Sequence, residues 1–195
     1  MKCSLINLIL FLLLILPVVT ISQTNFSVKS HNITVSGTSN IHDWTATVQN
    51  ASGYCIIDTI GSLINISNIN IMIESNSLKS SKGSIMDSKM KDALKADKYP
   101  TIAFISKQTK VLHKSKDNIQ LQIAGVLIIG GVSKYIEVLG NCRSFSNELF
   151  ITMGSKELKM TDFGVKPPTA LFGTLLTANE IKIDFKIILS PTKLK

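Results

Sequence analysis

The sequence predicts an all-β fold of antiparallel strands, with a closed barrel favoured over a sandwich. Two observations carry this prediction: apolar and polar residues alternate in segment after segment, and one segment alone has helical spacing. Alternation with a period of two indicates a strand with one buried face, and its repetition without regular helical crossovers indicates antiparallel pairing. The clearest segment is "EIKIDFKIIL", whose apolar face comprises Ile181, Ile183, Phe185, Ile187 and Leu189.

Five earlier segments show the same alternation. Gly125 lies in one that is long for a flat sheet, and a glycine there supplies the bend that barrel closure requires. A barrel is therefore favoured, although periodicity alone does not exclude a sandwich. The apolar faces are Ile33, Val35 and Gly37; Trp44, Ala46 and Val48; Ile69, Ile71 and Ile73; Ile119, Leu121, Ile123, Gly125, Leu127 and Ile129; and Leu149, Ile151 and Met153.

One short α-helix interrupts the strands at about residues 84–97. In "SIMDSKMKDALKAD" the apolar residues Met86, Met90, Ala93 and Leu94 recur at helical spacing, with charges between them. The helix stops at "KYP", because the residue before Pro100 is pushed out of the helical region. The chain shows no internal repeat and no linker, so residues 23–195 are predicted to form a single domain.

The N-terminus has the three-part pattern of a secretory signal peptide over residues 1–22. Lys2 gives a positive start, Leu5–Val19 is almost wholly apolar, and small residues follow up to Ser22. The apolar run is short for a membrane, which requires roughly 20 residues to cross about 30 Å of hydrocarbon. We therefore expect cleavage after Ser22 and a periplasmic or secreted protein of the bacterial cell envelope.

The charge argues against nucleic acid as a partner. The net charge of +8 comes from lysines spread along the chain, and Arg143 is its one arginine. A nucleic-acid site would need a basic patch or stripe, often interleaved with aromatic residues. Contact with an anionic membrane surface is permitted. The oligomeric state stays open, with a homodimer among the alternatives.

No catalytic or metal-binding set is predicted. The three histidines, His31, His42 and His113, lie far apart in different elements, and no metal-ligand spacing occurs. Neither a Gly-x-Ser-x-Gly turn nor a glycine-rich phosphate loop is present. Cys55 and Cys142 remain after cleavage as either a disulfide or two separate buried thiols, and the sequence does not decide between them.

Several motifs together resemble the YceI-like family of exported lipid-binding proteins. They are "GTSNIHDWTATV", "MKDALKADKYPTIAFIS", "GVLIIGGVSKYIEV" and "LKMTDFGVKPPTALFGTLLTANEIKIDF". The resemblance implies an extended, eight-stranded antiparallel barrel of lipocalin-like shape that holds a polyisoprenoid or related amphiphile. It implies no cofactor beyond such a bound lipid. The segments "HDW" and "KPPTALFGT" are similar to the form common in Bacteroidetes bacteria.

The candidate ligand-binding residues form an apolar tunnel and its lip. Lys166, before two prolines in "TDFGVKPP", is the candidate contact for a lipid head group. The leading hypothesis is a non-enzymatic carrier or reservoir for such a lipid. The alternative is a structural or stress-response envelope protein with a side-chain-filled barrel, and a third hypothesis is a secreted hydrolase that acts on a lipid. The tunnel and lip residues are Trp44, Phe104, Phe163, Leu171, Phe172, Ile181, Ile183 and Phe185.

Overall fold

The structure, a computed structural model, describes residues 22–60, 63–115, 118–144, 150–170 and 174–192. The predicted signal peptide lies outside these ranges except for Ser22, and so do Leu171 and Phe172 of the predicted lip. The strands are β1 (Ser22–Ser39), β2 (Trp44–Val48), β3 (Ala51–Ile60), β4 (Leu63–Glu74), β5 (Leu78–Ser80), β6 (Thr101–Lys114), β7 (Ile119–Ile129), β8 (Val132–Ser144), β9 (Phe150–Lys159), β10 (Thr169–Ala170) and β11 (Leu175–Pro191). The helix α1 is Ser84–Leu94, and 3-10 turns occupy Ser75–Ser77 and Met160–Phe163.

Eight strands close into an antiparallel barrel in the order β1-β3-β4-β6-β7-β8-β9-β11, and the pairing of β11 with β1 completes the ring. The predicted eight-stranded barrel is therefore confirmed. The N-terminal half of β1 pairs with β3 and its C-terminal half pairs with β2. Strand β5 continues the sheet beyond β2, and β10 adds to β11.

The predicted inner faces of the strands agree with the structure, except on β9. In β7 the predicted set from Ile119 to Ile129 is buried along its length. On β9, Ile151 and Met153 do share a face, but it is the outer one, because Phe150 is paired with Leu189 and lines the interior. At the start of β9, odd and even positions both carry apolar residues. The alternation of apolar and polar residues therefore could not identify the buried face of this strand. Leu149 lies outside the described ranges.

Glycines in the wall allow three large aromatic rings to lie along it. A Cβ on Gly37 would come within 2.5 Å of the Trp44 indole, and one on Gly154 within 2.6 Å of the Phe185 ring. Gly125 has the same relation to Phe104, whose Cζ lies 2.9 Å from the Cβ position. Each ring therefore covers the space that a side chain would occupy on the neighbouring strand, as aromatic residues do over sheet glycines.

The helix ends three residues before the predicted boundary near residue 97. Lys95 adopts the left-handed conformation with φ of 51° and donates its N–H to the carbonyl of Asp92. The N–H of Ala96 reaches the carbonyl of Lys91 at 3.0 Å, which completes a Schellman motif. The left-handed residue stops the helix before the proline does. In the described ranges, no helix is long and apolar enough to cross a membrane.

Candidate ligand cavity

The barrel interior contains three clusters of buried side chains. One is centred on Leu121, with Cys55 and Cys142 among its members, and a second on Phe163. The third joins Trp44 and Ala46 to Met90 of α1, so the helix packs on the barrel with its apolar face. Phe104 packs against both the first and the second cluster and connects them along the interior.

A cavity of about 250 Å³ runs among these clusters. It is larger than the roughly 150 Å³ void that holds one benzene molecule. Its wall is apolar, and the exceptions among the lining residues are Tyr54, Cys55, Cys142, Thr152 and Lys156. Such a space can bind a slender apolar chain through burial of hydrocarbon surface.

The structure brings six of the predicted tunnel residues together on the cavity wall. Trp44 is 6% exposed, and its indole N–H donates to the carbonyl of Thr38 at 3.3 Å. Lys166, the predicted head-group contact, is exposed and does not line the cavity, so the structure does not place it at the site. The six lining residues are Trp44, Phe104, Phe163, Ile181, Ile183 and Phe185.

Residues 160–168, which we call the plug, form part of the cavity wall. Phe163 is buried, and the left-handed Gly164, with φ of 65°, lets the chain turn directly after it. Asn179 of β11 holds the plug by accepting the N–H of Thr161 at 3.0 Å and donating to its Oγ1 at 2.9 Å. The plug is therefore fixed to the barrel wall by paired hydrogen bonds, which no sequence pattern indicated.

Cys55 and Cys142 are free thiols, both buried, on the wall of the same cavity. Burial raises the pKa of Cys55 to about 12, and the nearby Cys142 adds to that shift. Burial also raises the pKa of Cys142, against a weaker opposing effect of its hydrogen bond with Thr152 at 3.1 Å. Thiols with raised pKa values are poor nucleophiles, because the thiolate is the reactive form.

The histidines do not converge on the cavity. His42 lies in the loop before β2, where its backbone carbonyl accepts the hydroxyl of Ser39 at 2.7 Å. His31 lies at the point where β1 changes partner from β3 to β2, and its Nε2 accepts the N–H of Ala51 at 3.1 Å. None of the three histidines lines the cavity.

An outer cleft of about 840 Å³ adjoins the cavity on the side of β9 and β11. Lys156 lines both spaces, and it is the one charged side chain among the described residues that line the cavity. No sequence pattern indicated Lys156, because the inner face of β9 was predicted from Ile151 and Met153, which lie on the outer face. The residues common to the two spaces are Trp44, Ile136, Lys156, Leu158 and Ile181.

An eight-stranded antiparallel barrel with an apolar interior space defines a lipocalin-like class of protein, in which the barrel is just wide enough for one small ligand. Within that class the chain belongs to the YceI-like domain family, whose family model matches residues 17–189. The family predicted from the motifs is thus confirmed. A comparison with curated proteins finds no match.

Solved structures share the fold at low sequence identity. A polyisoprenoid binding domain from Saccharophagus degradans, implicated in plant cell wall breakdown, has a TM-score of 0.69 at 12% identity, covering 86% of this chain and 98% of that chain. BcnA from Burkholderia cenocepacia has a TM-score of 0.66 at 17% identity, covering 81% and 95% respectively. A Campylobacter jejuni YceI protein has a TM-score of 0.60 at 18% identity, covering 76% and 85%.

Proposed function

We propose that this protein is an exported, non-enzymatic lipid-binding protein that holds a polyisoprenoid or similar long apolar amphiphile inside its barrel. Its role would be that of a carrier, a reservoir or a stress protein of the periplasm or the cell exterior. The observation that carries the proposal is the apolar cavity of about 250 Å³ in the barrel interior. The likeness to a polyisoprenoid binding domain supports the same class of ligand.

Burial of hydrocarbon supplies enough free energy for such binding. Each buried methylene contributes about 0.8 kcal/mol, so a five-carbon isoprene unit contributes roughly 3–4 kcal/mol before costs. Association costs about 4–15 kcal/mol in lost translational and rotational freedom, and each side chain that is ordered adds about 0.5–1.5 kcal/mol. Several isoprene units can therefore outweigh these costs without a strong polar contact.

The wall itself favours a ligand over a barrel filled by its own side chains. Trp44 and Phe185 lie over Gly37 and Gly154, so their rings follow the wall and leave space in the middle of the barrel. A hydrolase is disfavoured because the thiols at the cavity have raised pKa values and no histidine lines it.

Titration with farnesol, a C15 isoprenoid alcohol, tests the proposal. Trp44 is the one tryptophan of the chain and lines the cavity, so its fluorescence reports occupancy directly. We expect saturable binding by the wild type. Ile183→Lys should abolish it, because an ammonium would then enter the apolar wall directly opposite Lys156.

Lys182→Ala is the matched control on the next residue. Lys182 faces outward and contacts Asp184 at 3.0 Å, and such exposed ion pairs contribute little. Circular dichroism establishes folding, and Ile183→Gln, with an uncharged polar group, replaces the lysine variant if that one unfolds. Unchanged binding in folded Ile183 variants, or loss of binding in Lys182→Ala, would contradict a ligand inside the barrel.

A further inference from the structure

We propose that Lys156 is the polar anchor for an anionic head group, a phosphate or a carboxylate, on the amphiphile that the barrel holds. The inference rests on the proposed function and deepens it, since it assigns the chemistry and the orientation of the bound molecule. It depends on three properties of Lys156: its inward direction, its position between the two spaces, and its lack of a partner.

The side chain of Lys156 is directed toward the interior. It lies opposite Ile183 across the β9–β11 pair, and directly opposed residues project from the same face of a sheet. Ile183 lines the cavity, and so do Thr152 and Leu158, which share the parity of Lys156 along β9. Lys156 is half-buried, and a lysine that faces an apolar interior is unusual, because lysines are mostly found at exposed positions.

Lys156 lies in the part of the wall that the cavity shares with the outer cleft. It lines both spaces together with Trp44 and Leu158, whereas Phe150, six residues earlier on the same face of β9, lines only the cavity. A molecule with its head at Lys156 would therefore extend its tail past Phe185 toward Phe150. The polar head would stay near the water-filled cleft.

No described residue forms a hydrogen bond or an ion pair with the ammonium group of Lys156. On the outer face of this part of the sheet, residues of opposite charge are cross-strand neighbours: Glu157 lies opposite Lys182, and Lys159 lies opposite Glu180. Asp43 and Asp162 also line the cleft, but both are exposed and neither lies within ion-pair distance of Lys156.

An anionic oxygen is the chemistry that compensates such an ammonium. Hydrogen bonds between ionised partners are about twice as strong as neutral ones, and a low-dielectric wall strengthens them further. An alcohol head group gains less from the same contact. Lys156 would thus select among molecules whose apolar tails bind equally well.

The test compares farnesyl phosphate with farnesol, which have the same tail, on the full protein at fixed salt with Trp44 fluorescence as the readout. We expect the wild type to bind farnesyl phosphate about 10-fold or more tightly than farnesol, since a charged hydrogen bond contributes about 1.5–3 kcal/mol. Lys156→Met should remove this preference while farnesol binding persists. Lys186→Met, at an exposed lysine of β11 that lines neither the cavity nor the cleft, should keep it.

The Lys156→Met variant should fold, because methionine suits an apolar wall. The melting temperature of this variant should equal or exceed that of the wild type. Three outcomes would each overturn the anchor: equal affinities of the wild type for both probes, a preference that survives Lys156→Met, or the same loss of preference in Lys186→Met. Full displacement of farnesyl phosphate by millimolar inorganic phosphate would also overturn the anchor role, because it would show a site for the free anion. If neither probe binds the wild type, the proposed function itself fails.

Discussion

Gly37→Ala tests whether the cavity wall depends on glycines beneath its aromatic rings. The new Cβ would lie 2.5 Å from Cζ2, 2.8 Å from Cε2 and 3.1 Å from Nε1 of Trp44. Contacts of this length cannot persist, and the atoms that must move belong to a buried indole whose N–H donates to the carbonyl of Thr38. The ring would have to tilt toward the cavity.

Overpacking determines how much stability Gly37→Ala should lose. Forcing one extra carbon into a packed site costs typically 1–3 kcal/mol, and the strained indole hydrogen bond contributes about 1 kcal/mol more when it is lost. For a domain of 150–250 residues each kcal/mol lowers the melting temperature by roughly 2–4 °C. We therefore expect a decrease of roughly 2–16 °C, a shifted Trp44 emission, and weaker farnesol binding, because the tilted ring occupies ligand space.

Thermal unfolding followed by tryptophan emission measures the melting temperature and the emission shift in one experiment, and a farnesol titration measures the binding. Gly140→Ala is the matched control, because a Cβ there would meet its nearest atom, Cγ2 of Thr152, at 3.4 Å. That variant should be neutral or slightly stabilised, since alanine lowers the entropy of the unfolded chain. Wild-type stability and emission in Gly37→Ala, or equal losses in both variants, would refute the reasoning.

Three further outcomes are expected. Asn179→Ala removes both hydrogen bonds between the Asn179 side chain and Thr161 of the plug, and should lower the free energy of unfolding by about 1–3 kcal/mol in urea denaturation, with an unchanged value contradicting the anchoring role. Burial raises the pKa of Cys55 from 9.0 to about 12, so the unfolded chain releases this proton first and stability should fall as pH rises from 9 toward 12. Denaturation across that range should show a shallower fall in Cys55→Val, and equal slopes would argue against a buried thiol. Intact mass of the protein from its native host should show loss of Met1–Ser22, whereas a retained segment would contradict export with cleavage.

The inner faces of most strands could be predicted because their two faces differ in polarity. In β11, Lys182 and Asp184 alternate with Ile183 and Phe185, so only one face can be buried. In β9 the segment "FITM" is apolar in both parities, and only the pairing of Phe150 with Leu189 decides which face is inward. A prediction based on the polarity of alternate residues therefore cannot identify the buried face of β9.

The remaining features of the site depend on contacts between distant parts of the chain. The inward direction of Lys156 is evident only from its pairing with Ile183 across the sheet. In a sequence alone, a lysine indicates an exposed position. The anchoring of the plug by Asn179 joins residues that lie 18 positions apart. Lys166 as the head-group contact stays a prediction: its side chain is exposed and does not line the cavity. A lysine beside prolines carries no sequence signal for the direction of its side chain.

Solvent extraction of the freshly purified protein, followed by mass spectrometry of the extract and quantification per mole of protein, tests the central claim most directly. The apolar cavity predicts about one long-chain isoprenoid or similar amphiphile per barrel, released on unfolding and absent from the Ile183→Gln variant. A compact, fully folded wild-type protein that yields no apolar molecule, and that also fails to take up added farnesol, would contradict it.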